Sequence, residues 1–172
     1  DIMISVVIPT LGREVVLVET VKKLIALTAC EEIILVDQTL SHEAATAQAL
    51  QDWHQAGAIR WIHQQPPGVV AAMNRGLREA KHALVLFLDD DIEPCAGLLK
   101  AHENAHARYR EAWAVAGRVM QPEGEPVQRK RGRHRGKLTR DLDFDFTSRA
   151  GAWVENVMAG NLSVKRDRAI AI

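Results

Sequence analysis

Apolar and polar positions follow one another in blocks along this chain, and the period of the blocks changes in a regular order. Residues 2–8, Ile-Met-Ile-Ser-Val-Val-Ile, form a nearly continuous apolar run rich in β-branched side chains, closed by Pro9, Thr10 and Gly12. Such a run predicts a strand covered on both faces, as in a parallel sheet. Leu17, Val21, Leu24, Ile25 and Thr28 then recur at helical spacing. Residues 33–36 predict a second buried strand ending at Asp37, and Ser41 with Ala44 opens an Ala-rich helix to about His54. Residues 59–62 predict a short third strand, and Pro66-Pro67-Gly68 breaks the chain before a helix over 69–80. Residues 83–88, the most apolar run, predict a fourth strand that leads directly into Asp89-Asp90-Asp91. A helix over 96–109 and strands over 113–119 and 153–157 are expected after it. Repeated strand–helix alternation with short connections predicts an α/β, Rossmann-like layered fold whose sheet is mainly parallel. No internal repeat interrupts this order.

Composition narrows the picture only slightly. A length of 172 residues suits one domain, 1–172, with a single sizeable core. Basic and acidic residues balance at 22 each, so net charge favours no partner. The two cysteines, Cys30 and Cys95, lack CxxC spacing, which argues against a zinc site or a disulfide framework. Both sit in apolar sequence, and a reduced, cytoplasmic setting is the expectation. No stretch reaches the roughly 20 apolar residues of a membrane span. The chain starts at Asp1 and ends in the apolar run 169–172, which reads as a boundary inside a larger protein.

One segment departs from the average. Residues 128–140 carry seven Lys or Arg plus His134, with two glycines and no apolar period. The whole of 121–150 is expected to be a mobile basic loop. It could meet an anionic membrane surface, such as the inner face of the cytoplasmic membrane, or a lipid-phosphate acceptor. A solvated loop is the favoured reading, and no nucleic acid partner is expected. Trp53, Trp61, Trp113 and Trp153 are expected to pack on or flank the core, with Trp153 open to stacking on a sugar.

The chemistry gathers at the ends of the predicted strands. In parallel α/β sheets, ligands bind beyond the carboxyl ends of the strands. Here those ends carry Thr10, Asp37 and the triplet Asp89–Asp91. Three adjacent carboxylates repel one another unless a positive group joins them. Mg²⁺, which takes one or two carboxylates and completes its shell with water and phosphate, is a natural partner, and a solvated acidic loop is the alternative. Asp37 can accept hydrogen bonds from a base or ribose, or can serve as a turn aspartate. The helix beginning near Gly68 points a positive end at the same edge, with Asn74 and Arg75 on it. Gly160-Asn161 follows a predicted strand and allows close backbone approach to a ligand. A glycine-rich loop with lysine is missing after the first strand, as is GxGxxG, which excludes the usual nucleotidyltransferase and dinucleotide-binding patterns.

Taken in order, 5–10 (Ser-Val-Val-Ile-Pro-Thr), 35–37 (Leu-Val-Asp), 68–76, 86–91 (Leu-Phe-Leu-Asp-Asp-Asp) and 160–166 (Gly-Asn-Leu-Ser-Val-Lys-Arg) resemble the motifs of family 2 glycosyltransferases over nearly the whole chain. The resemblance implies a three-layer GT-A fold and an inverting transfer from a nucleotide diphosphate sugar, commonly a UDP-sugar, to a sugar or lipid-linked hydroxyl acceptor. It implies nucleotide contacts at Pro9, Thr10 and Asp37. Asp89 and Asp90 would lie near ribose and sugar, and Asp91 would face Mg²⁺ or Mn²⁺ in a DXD motif. Gly160 and Asn161 would border the sugar and acceptor. Where such enzymes often carry Arg-Asn, this chain has Met73-Asn74, so Arg75 becomes the substitute diphosphate partner beside Asn74. Gln38-Thr39 after Asp37 is a second, milder departure. The resemblance places the catalytic base beyond Ile172. A non-enzymatic module that binds nucleotides or anionic surfaces through its basic loop is the competing reading.

Overall fold

The structure, a computed structural model, describes residues 3–27, 32–120, 149–154 and 157–172. Its elements run β1 (Ile4–Thr10), α1 (Val15–Leu27), β2 (Glu32–Asp37), α2 (Ala44–Gln55), β3 (Arg60–His63), α3 (Val69–Glu79), β4 (Leu84–Leu88), α4 (Leu98–Arg108), β5 (Ala114–Ala116), β6 (Asn161–Lys165) and α5 (Arg166–Ile170). The strands form one sheet in the order β3-β2-β1-β4-β6-β5. β1 to β4 are parallel, whereas β6 runs antiparallel to both β4 and β5. The α/β, mainly parallel expectation is therefore met.

Side chains alternate between the two faces of a strand, and here both faces are apolar. Ile4, Val6, Ile8, Ile33, Leu35, Leu84, Leu86 and Leu88 pack under Leu17, Val21 and Leu24 of α1 and Leu50 of α2. Val7, Ile34, Val36, Val85 and Phe87 face the other way, onto Ala72 and Leu77 of α3. The result is three layers with the sheet between two helical layers. α3 lies very close to the sheet, because a Cβ on Gly76 would overlap the Val7 side chain.

Several sequence expectations move. α2 begins at Ala44 with Glu43 at its N-cap, beyond Ser41, and α4 begins at Leu98, after Gly97 turns left-handed at φ 82°. The strand expected over 113–119 shortens to three residues, and its flanking Trp113 stands 54 % exposed. Residues 153, 154 and 157 of the last predicted strand are irregular, and Trp153 meets Tyr109 edge-on instead of joining the core. Trp53 and Trp61 pack on the core as expected. Cys95 is exposed, not sheltered among apolar groups. Most of the basic loop, 121–148, lies outside the described residues, as does Cys30. Among the described residues no helix is long and apolar enough to cross a membrane.

The register decides what reaches the carboxyl rim. Thr10 pairs with Asp37 and Asp37 with His63, so β1, β2 and β3 end abreast. β4 ends at Leu88, and the triplet extends the same way past it. Because β6 is antiparallel, its first residue, Asn161, is the one opposite Leu88. Antiparallel pairing thus delivers Gly160 and Asn161 to the rim from a distant part of the chain.

Candidate functional site

The rim encloses a cleft of about 410 Å³ lined by Pro9, Thr10, Leu11, Arg13, Gln38, Pro67, Gly68, Val69 and Asp90. Its wall is tied across β1 and β4: the buried Thr10 hydroxyl donates to Asp90 Oδ2 at 2.6 Å. Arg13 supplies one positive charge to two members of the triplet. Its Nε lies 3.4 Å from Asp90 Oδ1, and its Nη2 donates to Asp91 Oδ2 at 3.1 Å. Thr20 of α1 anchors the following segment through the Ile92 carbonyl at 3.1 Å. Asp90 is therefore held on two sides, while Asp91, with its side chain 45 % exposed, keeps a free flank.

Gln38 is the bracket between the first strands and α3. Its backbone N–H and its Nε2 both donate to the Thr10 carbonyl, at 3.0 and 3.3 Å. Its Oε1 accepts from the Gly68 amide at 2.6 Å, and its carbonyl accepts from Gln65 Nε2 at 2.8 Å. Gly68, the N-cap of α3, has no side chain to cap the helix, and Gln38 takes only the Gly68 amide, so the amides of 69–71 remain available at the cleft.

Asp37 is placed at the rim but turned inward. Its carboxylate is fully buried and accepts from the Thr39 amide at 2.9 Å, from Trp61 Nε1 at 2.9 Å and from His42 Nε2 at 2.7 Å. His42 also meets Glu14 Oε1 at 3.0 Å through Nδ1. Burial opposes ionisation of Asp37, but these donors outweigh it and hold its pKa low. Burial likewise opposes charge on His42, and the two carboxylates reverse that, so its pKa is raised. In this arrangement the Asp37 carboxylate is turned to protein donors and ties the segment after β2 to β3.

Asp89 does not line this cleft and lies along the rim toward β6. Its carboxyl packs so close to Gly160 that a Cβ there would stand 2.5 Å from Oδ2. Desolvation and the charges of Asp91 and Asp90 raise its pKa, which marks a rim short of cations despite Arg13. Asn161 Oδ1 is 2.8 Å from His102 Nε2, and its Nδ2 donates to the Arg118 carbonyl at 3.2 Å. Ser163 sits behind it, contacted by both His102 and His106.

The two helical candidates separate from this group. Asn74 is exposed on α3. Arg75 runs along the helix to Glu79 Oε1, 2.9 Å away. Glu79 also pairs with Arg60, which reaches Glu32, so this network sits at the starts of β2 and β3. Arg75, the expected substitute for a diphosphate-binding arginine, does not line the cleft, and Arg13 is the guanidinium that does. Arg13 was legible as the cation following the first strand's polar end. His102 and His106, spaced i and i+4, were legible as one helix face, but nothing local linked them to Ser163. His42 carried no such signal.

Mg²⁺ or Mn²⁺ can be tested against the donors present. Among the described residues no three His, Cys, Asp or Glu converge as a ready-made cage. The donor set still fits: hard carboxylate oxygens on adjacent residues, a half-exposed Asp91, and an unrelieved negative field at Asp89. A magnesium-like ion needs only one or two such carboxylates when phosphate oxygens fill the rest of its shell.

A family model described as glycosyl transferase family 2 matches residues 5–165. No curated protein matches the chain. Among solved structures, the mannosyltransferase PcManGT from Pyrobaculum calidifontis, in complex with GDP-Man and Mn²⁺, superposes with a TM-score of 0.59 at 20 % identity, over 70 % of this chain and 36 % of that one. Residues 1–349 of TarS from S. aureus give 0.58 at 20 % identity, over 73 % and 38 %. The same TarS fragment in complex with UDP-GlcNAc gives 0.57 at 20 % identity, over 73 % and 36 %. The chain thus spans little more than a third of the length of these relatives, and at this identity the likeness shows the shared fold.

Proposed function

Because this chain belongs to glycosyl transferase family 2, we propose that its cleft binds a nucleotide diphosphate sugar, a UDP-sugar foremost, and presents the sugar for inverting transfer to a sugar or lipid-linked hydroxyl. The observation that carries this reading is the Thr10–Asp90 hydrogen bond, which closes the triplet against the end of β1 beside an uncapped helix terminus. Pro9, Thr10 and Gln38 form the floor for base and ribose. Arg13 and the first amides of α3 offer positive charge to the diphosphate. Asp91, with Asp89 or Asp90, would hold Mg²⁺ or Mn²⁺, which when bound neutralises charge developing on the leaving diphosphate. Asp90 is kept in place by Thr10, and Gly160 lets Asp89 approach the sugar side, where Asn161 adds an amide. A hydroxyl approaching opposite the diphosphate would then form the new C–O bond as the bond to the diphosphate breaks, with inversion, and pass its proton to a general base. The relatives solved with GDP-Man and Mn²⁺ and with UDP-GlcNAc support a donor of this class.

Calorimetry with UDP, UDP-glucose, UDP-GlcNAc and GDP-mannose, with and without Mn²⁺, tests the proposal. At least one sugar nucleotide should bind in a Mn²⁺-dependent way. Asp91→Ala should weaken that binding about tenfold or more, equivalent to roughly 1.4 kcal/mol. Metal-independent binding, or an Asp91→Ala chain with unchanged affinity, refutes the reading.

A further inference from the structure

Behind Asn161, three polar side chains are closed between α4 and the β5–β6 pair. His102 Nδ1 and His106 Nε2 lie 2.7 and 2.9 Å from the Ser163 hydroxyl. Each histidine is only 3 % exposed and Ser163 is fully buried. Polar groups this deep in a core need a definite hydrogen-bond pattern, and the pattern here can be derived.

The Arg118 carbonyl can only accept, so Asn161 must turn its NH₂ to it and its oxygen to His102. That oxygen can only accept as well, so His102 Nε2 carries the proton. Burial keeps His102 neutral. Nδ1 is then bare, and the Ser163 hydroxyl, which also has the Val115 carbonyl at 3.4 Å, donates to this nitrogen at the shorter distance of 2.7 Å. The Ser163 oxygen is left to accept from His106 Nε2–H, and His106 Nδ1 remains without a partner among the described residues.

We infer that His106, Ser163 and His102 form a one-directional hydrogen-bonded brace that fixes the Asn161 amide in a single orientation at the sugar side of the cleft, with His102 as the positioning residue. The inference rests on the sugar-nucleotide reading above and deepens it. With Oδ1 committed to His102 and one N–H to Arg118, Asn161 has only its second N–H to offer. The ligand group it recognises must therefore be an acceptor, such as a sugar hydroxyl or acyl oxygen, next to Asp89. A flipped amide would select a donor instead.

Two measurements decide this. Long-range ¹⁵N–¹H spectra of the histidine rings in the full chain, at neutral pH and without ligand, should show both His102 and His106 as neutral Nε2–H tautomers. An Nδ1–H tautomer or a charged ring at His102 overturns the brace. Calorimetry then compares UDP with the tightest-binding sugar nucleotide of the panel above. His102→Phe should leave UDP affinity unchanged within about twofold and weaken the sugar nucleotide about tenfold. His102→Gln, whose amide can place an N–H where Nε2 stood, should recover to within about threefold. Asn161→Asp, which offers only acceptors, should reproduce the loss without disturbing α4, and it serves if His102→Phe fails to fold. Equal weakening of UDP and sugar nucleotide, or no weakening in Asn161→Asp, overturns the positioning role. A wild-type chain that binds no nucleotide at all refutes the proposed function and the purpose given to the brace, whereas the tautomers stand or fall on the spectra alone.

Discussion

The two flanks of the cleft each bury histidine, and they treat it in opposite ways. On the β2 side, His42 is 3 % exposed in its side chain and lies between Asp37 and Glu14, with Trp61 completing the Asp37 shell. On the β6 side, His102 and His106 are as deeply buried but meet a serine, an amide and, for His106, the ammonium of Lys165. The first ring has its pKa raised, while burial lowers that of His102 and takes His106 down to about 4. Burial alone disfavours the charged form at every one of these positions. The charge of the neighbours therefore decides the outcome: the β2 side holds its histidine between two carboxylates, and the β6 side holds its pair mainly among neutral dipoles.

The harshest way to break this comparison is to neutralise the ionic flank. Asp37→Asn removes the carboxylate that His42, Trp61 and the Thr39 amide share. Leaving a buried charge without its partner costs about 3–5 kcal/mol, so a urea unfolding midpoint at pH 7 should fall by an amount equivalent to roughly 3 kcal/mol. A loss below about 1 kcal/mol would show that Asp37 is not structurally committed and remains open to a ligand.

Acid and alkali should separate the flanks next. His106 is depressed in the folded state, so the unfolded chain takes up its proton first as the pH falls below about 6.5. Stability should drop as pH falls from there toward 4, by up to about 3 kcal/mol from this ring, and His106→Phe should flatten that slope. His42 carries the opposite sign. Its contribution is complete below about 6.5 and is lost as the pH rises through its raised folded value. Asp37, held low, keeps its contribution until the pH falls through its depressed value. Thermal midpoints across pH 4–9 for the wild type and the two single variants, His106→Phe and His42→Phe, check both slopes.

A smaller effect probes where the flanks meet. Gly160→Ala would set a methyl group 2.5 Å from Asp89 Oδ2. Asp89 must then turn, at a cost of about 1–2 kcal/mol of overpacking. Sugar-nucleotide affinity should fall more than UDP affinity, and calorimetry reads the difference. Equal affinities in variant and wild type would remove Asp89 from the sugar side.

These contacts also mark where sequence reading reaches. β1 to β4 and their helices were legible because unbroken apolar runs and helical periods are local signals. The Thr10–Asp90 meeting followed from parallel strands ending together. The fate of Asp37 did not, since its partners His42 and Trp61 are polar and aromatic residues with no periodic signature. Nor did the insertion of β6 between β4 and β5, a nonlocal pairing that alone brings Gly160 and Asn161 to Asp89. The i, i+4 spacing of Arg75 and Glu79 was legible, and it outcompetes the cleft for that guanidinium.

Arg75 supplies the smallest and most discriminating test, because it sits in an ionic cluster that water can reach. Its side chain is 43 % exposed, against 3 % for His42. If neighbouring charge governs only where water is excluded, breaking the Arg75–Glu79 pair should change stability by no more than about 0.5 kcal/mol, as exposed ion pairs do. Arg75→Ala should also leave UDP affinity within about twofold of wild type, while Arg13→Ala weakens it severalfold by removing the cation at Asp90 and Asp91. The reverse ranking would make Arg75 the guanidinium that meets the diphosphate and undo the role given to Arg13.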